Sequence, residues 1–287
     1  MIPIIDTHQH LWDLSKFHLA WLDGGGPLAS SHLLADYKRE TEGLNIVKTI
    51  YMEVDVSPDQ RVKEAEYVFD LCRQPHPLLA GAVIGGNPMS ADFKEYVLRF
   101  RQEPHFKGVR QVLHGGQERG TCLKPEFVAG IHLLGEHRLI FDLCLRPDEL
   151  SDGIALAKLS PHTQFVLDHC GNAPIYAAEN APERLEWKRG LAEMGQLPNV
   201  VCKISGIIAQ LKKGDKAAEI LAPSINACVA AFGHERVLFA SDWPVCTLGS
   251  PLKDWVQALQ TIVKDWPETD QRKLFHDNAQ RIYGLHA

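Results

Sequence analysis

No apolar run in the 287 residues approaches the ~18 that a membrane-spanning helix needs, so no transmembrane segment is expected. The N-terminus has no basic segment followed by an apolar one, so no secretory leader is expected either. Basic charge is not in excess: 30 lysines and arginines face 36 aspartates and glutamates, a net charge of −6, which removes the electrostatic footprint of a nucleic-acid binder. The seven cysteines are odd in number and contain no Cys-x-x-Cys pair. A disulfide framework is therefore not expected, and Cys144, Cys170 and Cys202, each in an apolar run, read as reduced core residues of a cytoplasmic protein. No Gly-x-Ser-x-Gly elbow surrounds Ser205, which leaves a serine-hydrolase mechanism without support. No linker rich in Gly, Pro or Ser is long enough to divide the chain, so one domain over residues 1–287 is expected.

What the chain does have is rhythm. Eight short β-branched or apolar runs, at 4–10, 49–54, 79–85, 107–113, 140–145, 164–171, 200–206 and 237–244, each precede a longer amphipathic stretch. Helical patterns lie at 59–73, 91–102, 125–137, 148–159, 183–194, 215–232, 251–265 and 269–283. Parallel strands need crossover helices, so this alternation predicts an α/β fold, a (β/α)8 barrel of the TIM type. Residues 11–31, with Trp12, Trp21 and a Gly24-Gly25-Gly26-Pro27 run, are too irregular for the core and read as a long loop over the barrel mouth.

In such a barrel the C-terminal strand ends face one pocket. Those ends carry His8 and His10, Glu53, Arg110 with His114, Asp168-His169, Lys203 with Ser205, and Asp242 with Trp243. Burying this many unpaired charged and imidazole groups would cost several kcal/mol each, so chance placement is a poor explanation. On a strand His8 and His10 share a face with Asp6, and neutral imidazoles so paired make half of a metal site. The other ten histidines lie mostly in loops or helices and read as surface or local packing.

Three motifs carry a family resemblance: Asp-Thr-His-Gln-His-Leu-Trp-Asp at 6–13, Val-Leu-Asp-His-Cys-Gly at 166–171 and Phe-Ala-Ser-Asp-Trp-Pro at 239–244. Together they resemble the amidohydrolase superfamily, most of all its sugar-lactone hydrolases (the L-fucono- and L-rhamnono-lactonases) and the related pyrone-dicarboxylate lactonase. The resemblance implies a (β/α)8 barrel, with His8 and His10 matching the strand-one histidines, His169 the strand-six histidine and Asp242 the strand-eight aspartate. It also implies a departure. Strand five reads Phe141-Asp142-Leu143-Cys144-Leu145 without histidine, and strand four offers no carboxylate. One divalent ion, with zinc first in line, or none is then expected where other members hold two.

The expected roles follow. Asp242 takes the proton of an attacking water and returns it to the leaving alkoxide. His8, His10, His169 and Asp242 are the candidate metal ligands, and His169 also polarises the carbonyl. Asp168 is expected on the opposite face of its strand. Glu53 binds substrate or the ion, or else pairs with Arg110. Arg110, His114 and Lys203 form a cationic wall suited to a polyhydroxylated or anionic substrate. Trp21 and Trp243 suit the apolar face of a sugar ring. The expected partner is a small lactone or related acid, with no nucleic acid and no membrane, and self-association is left open. The competing reading is a metal-dependent decarboxylase of an aromatic or unsaturated acid.

Overall fold

In the computed structural model, which describes residues 2–75 and 78–285, eight parallel strands pair in chain order from β1 to β8. They are β1 (Ile4–Gln9), β2 (Ile46–Met52), β3 (Leu79–Gly85), β4 (Phe106–Val112), β5 (Ile140–Cys144), β6 (Gln164–Leu167), β7 (Val200–Ile204) and β8 (Val237–Phe239). Beyond β8 the seam to β1 is closed by backbone bonds, Asp242 N to His8 O at 2.8 Å and His10 N to Trp243 O at 2.7 Å. The result is the expected (β/α)8 barrel. Among the histidines read as surface, His76 and His286 lie outside the described residues.

The strands are nearly continuous hydrophobic runs because both faces are covered. Outward residues pack under the helices, of which Arg61–Cys72, Pro125–Glu136, Pro182–Met194 and Ala217–Phe232 are the longest. Inward residues form a separate cluster of Ile5, Ile50, Met52, Val83, Ile140, Val166, Val201 and Leu238, with Tyr283 and Leu285 packed against it from the C-terminal segment. Every second residue then climbs the axis. Above that apolar layer the inward positions are Arg110, Asp142, Asp168 and Lys203, and above these come Val112, Cys144, Ser205 and Asp242. The barrel is thus apolar at its N-terminal end, ionic in the middle and open to a pocket at the top.

Several boundaries differ from the sequence reading. Strand β6 stops at Leu167, short of the expected 171, because His169, Cys170, Gly171 and Asn172 all take positive φ, between 53° and 61°. The expected last helix over 269–283 is present as one continuous run, residues 268–282, with a π turn at Lys273–Asp277. A helix at Leu34–Glu40 was not anticipated. The 11–31 segment is pinned back at its end by a Trp12–His32 bridge. Among the described residues, no helix is long and apolar enough to cross a membrane.

Candidate active site

Each strand end delivers its residue by a different local device. His8 and His10 come from β1, where a register irregularity between Asp6 and Gln9 separates them from Asp6. Asp6 does not join them as expected. Its carboxylate accepts hydrogen bonds from Tyr37 Oη at 2.7 Å and from Ser241 N at 2.8 Å, so it ties the β1–β8 seam to the helix Leu34–Glu40.

His169 is placed by a single left-handed turn. Four consecutive residues with positive φ cost roughly 1–2 kcal/mol each unless glycine, and only one of them is glycine. The surroundings hold the turn in place: Trp187 Nε1 donates to Cys170 O at 2.9 Å, Asn172 Nδ2 to Leu145 O at 2.6 Å, and His169 N to Ser205 Oγ at 3.3 Å. The turn also explains one correction. With β6 ending early, His169 swings into the pocket although strand alternation would turn it out. Asp168, expected on the opposite face, is the inward residue. Asp242 has the same backbone signature, φ 58° just past β8.

These devices bring three imidazoles around one carboxylate. His8 Nε2 and His10 Nε2 lie 3.1 Å apart, and Asp242 Oδ1 is 3.6 and 3.4 Å from them. His169 Nδ1 is 4.0 Å from Asp242 Oδ2 and 3.0 Å from Ser205 Oγ. Burial pushes the Asp242 carboxyl up, but His169, His10 and His8 outweigh it and hold it down at about 2. Burial pushes the His8 pKa well down, so its ring is neutral.

The proton positions make this a fit for a cation. His10 Nδ1 faces the Met52 carbonyl at 3.0 Å, so that nitrogen carries the hydrogen and Nε2 presents its lone pair. His8 Nδ1 lies 3.2 Å from Asp168 Oδ1, the partner that fixes the tautomer of many metal-binding histidines. With the His8 proton on Nδ1, two lone pairs and a carboxylate converge on one point. His8, His169 and Asp242 also offer donor atoms within 4.8 Å of one another. The residues present fit one divalent ion, and the donor set of imidazole and carboxylate suits zinc.

Beneath this layer lies a buried ion-pair network. Lys203, fully buried, is bonded to Asp142 and sits 3.2 Å from Asp168 Oδ1. Burial opposes its charge, but Asp142 and Asp168 overcome that and keep it protonated. Arg110 Nε donates to Glu53 Oε1 at 2.6 Å and its Nη2 to Glu53 O at 2.8 Å, while Nη1 lies 3.6 Å from Asp168 Oδ2.

The pocket above holds about 420 Å³, within the range of small-molecule sites, and its lining corrects the expected wall. Arg110, His114 and Trp21 line it, together with His10, His169 and Asp242. Lys203 does not, since Asp142 and Asp168 hold it below. Glu53 is turned onto Arg110. Trp243, only 2% exposed, packs outward against Tyr37 and His32 because it follows Asp242 in the chain and takes the other side. Trp21 sits at the mouth, 45% exposed, with Nε1 donating to Val54 O at 2.9 Å. The sequence reading missed Asp55, Asn172 and Gln210, which also line the pocket. Asp55 follows Glu53 by two residues and so had a signal; Asn172, placed by the left-handed turn, and Gln210 had none.

Comparison with known proteins adds the following. The chain is 26% identical to an L-fucono-1,5-lactonase of Burkholderia multivorans, across 98% of this chain and 96% of that one. It is 26% identical to an L-rhamnono-gamma-lactonase of Scheffersomyces stipitis, across 98% of both. Among solved structures, an amidohydrolase from Burkholderia multivorans with bound zinc superposes with a TM-score of 0.86 at 24% identity, over 99% of this chain and all of that one. The family described as Amidohydrolase matches residues 5–285. That match spans nearly the whole chain, and the chain belongs to the amidohydrolase family.

Proposed function

We propose that the protein hydrolyses a neutral sugar lactone to its aldonic acid. The observation that carries this reading is the charge of the pocket. Among the described lining residues the only permanent cation is Arg110, and Glu53 and Asp168 already neutralise it. Desolvation at the wall lowers the His114 pKa, so that imidazole is neutral at pH 7. Asp242 and Asp55 bring two negative charges, which a divalent ion held there would offset without excess. A cyclic ester carries no charge into that field, whereas an aromatic acid awaiting decarboxylation, or a pyrone dicarboxylate, would bring carboxylates with no partner. The lactonase names of the relatives support the same choice.

The proposed chemistry uses few groups. Asp242 holds the attacking water, accepts its proton as the oxygen bonds to the carbonyl carbon, and passes that proton to the ring oxygen as the C–O bond breaks. His169, fixed by Ser205, orients the carbonyl against Asp242, while His10, fixed by the Met52 carbonyl, keeps its Nε2 lone pair for the ion. A divalent ion held by His8, His10, His169 and Asp242 supplies Lewis acidity toward the carbonyl and the water. Trp21 presents apolar surface at the mouth to the sugar ring, backed by the buried Trp12.

Acid release followed with a pH indicator tests the reading directly. Neutral aldonolactones are expected to be turned over, a pyrone dicarboxylate poorly or not at all, and no candidate acid should release carbon dioxide. Chelation should suppress turnover if the imidazoles hold a working ion. Carbon dioxide release without lactone hydrolysis would replace this reading with the decarboxylase.

A second expected result concerns Gly206. A methyl group there would lie 2.4 Å from His169 Cγ and Nδ1, at a φ of +69° that side chains rarely adopt. Gly206→Ala should therefore displace the imidazole, lowering turnover by about 10²-fold while costing roughly 1–3 kcal/mol of stability. Turnover within twofold of the parent would show that His169 need not sit where it does.

A further inference from the structure

One ion-sized position in the barrel is already filled, by a side chain. Below the pocket, His8, Asp142 and Asp168 each bring a donor atom within 4.8 Å of the others, and all three residues are buried. Two carboxylates and an imidazole nitrogen are donors a divalent ion accepts. The ammonium of Lys203 lies among them: bonded to Asp142, 3.2 Å from Asp168 Oδ1 and 3.4 Å from His8 Nδ1. Two of its N–H donors thus meet carboxylates, while His8 Nδ1, whose hydrogen goes to Asp168, is a neighbour and not an acceptor. One oxygen on each aspartate, Asp142 Oδ2 and Asp168 Oδ2, has no hydrogen-bond partner despite burial, which leaves coordination capacity that an ammonium does not use. Lys203 and Arg110 together bring two positive charges against the three carboxylates Asp142, Asp168 and Glu53.

We propose that Lys203 is a permanent internal cation occupying a second ion position, so that the centre holds at most one exchangeable ion, and that shortening Lys203 opens this inner position to a divalent cation. The inner position faces His8 Nδ1 and the outer one faces His8 Nε2, so a single imidazole separates the two charges. Lys203 then acts as a positioning residue. It holds Asp168, and Asp168 holds the ring of His8. A fixed ammonium does this at any ion concentration, which a dissociable metal would not.

Cobalt(II) counts the positions without reference to turnover, so the result stands whether or not a lactone is the substrate. Protein stripped with chelator is dialysed against cobalt(II), and bound metal is measured per chain. The wild-type chain is expected to take up at most one equivalent. Lys203→Ala, which removes both charge and bulk, is expected to take up one more and to melt at a higher temperature with cobalt(II) than without. Lys203→Met removes the same charge but keeps the space filled, and should gain no equivalent. Equal uptake by wild type and Lys203→Ala, two equivalents in the wild type, or a gain in Lys203→Met would each overturn the proposal. If Lys203→Ala is recovered only as aggregate, refolding with cobalt(II) or with ethylammonium replaces the count. Soluble protein in the presence of either cation supports a cation-shaped position, and recovery with neither overturns it.

Discussion

Asp242→Asn is expected to lower lactone turnover by about 10³-fold, in the middle of the range for removing a general acid–base group. The substitution isolates chemistry from folding. Asparagine matches the shape of the carboxylate and tolerates the positive φ of 58° at this position better than most residues. The backbone bonds of residue 242, its N to His8 O and its O to Cys246 N at 2.9 Å, do not involve the side chain. What is lost is the charge that His8, His10 and His169 surround, and with it the acceptor for the water's proton. Initial rates of acid release across a range of substrate concentrations separate the cases. A fall in kcat with the chain still folded supports the role, and parental kcat sinks it.

Arg110→Met should cost about 3–5 kcal/mol of stability, the usual penalty for breaking a buried ion pair from one side. The guanidinium is 5% exposed and answers Glu53 by two bonds, one from Nε to the carboxylate and one from Nη2 to the carbonyl, with Asp168 3.6 Å away. Burial works against its charge, and Glu53 and Asp168 more than compensate. Remove it, and two carboxylates share a dry interior with no cation between them. Denaturant unfolding of the single variant and of Arg110→Met with Glu53→Gln makes the argument quantitative, since the double variant should regain part of the loss. A single variant within about 1 kcal/mol of the parent would mean Glu53 is not neutralised by Arg110, and the case for a neutral substrate would fall with it.

The barrel was legible because its signal is repeated. Eight apolar runs alternating with amphipathic ones leave little freedom, and their C-terminal ends pointed to Arg110, Lys203 and Asp242 before any coordinates. The depth of each group was not legible. Alternation says that Lys203 points inward but not whether it reaches the pocket or stops at Asp142 one layer down, because that depends on where the strand sits along the axis. The Asp168–His169 pair was misread for a related reason. Period two holds only while the backbone is extended, and a left-handed turn of mostly non-glycine residues has no signature in composition. Trp243 was misassigned by proximity to Asp242, since adjacent residues at a strand end take opposite sides. Asp55 lies two residues past Glu53, at a positive φ of 51° that period two does not describe.

The seam where β1 meets the end of β8 has a consequence for how the protein comes into being. Thr7 Oγ1 donates to Phe239 O across 232 residues of chain, and the bonds joining His8 and His10 to Asp242 and Trp243 lie beside it. Contacts of such separation form late, because the loop they close carries the largest entropic cost. During synthesis the histidines emerge more than two hundred residues before their aspartate, so a nascent chain holds β1 with one unpaired edge until β8 has been made. Catalytic competence is then a report that the ring has closed. A chain that stops short of Asp242 cannot acquire it, and a break that frees β8 from β1 removes the Asp242 carboxylate from the imidazoles at the same moment as it opens the barrel.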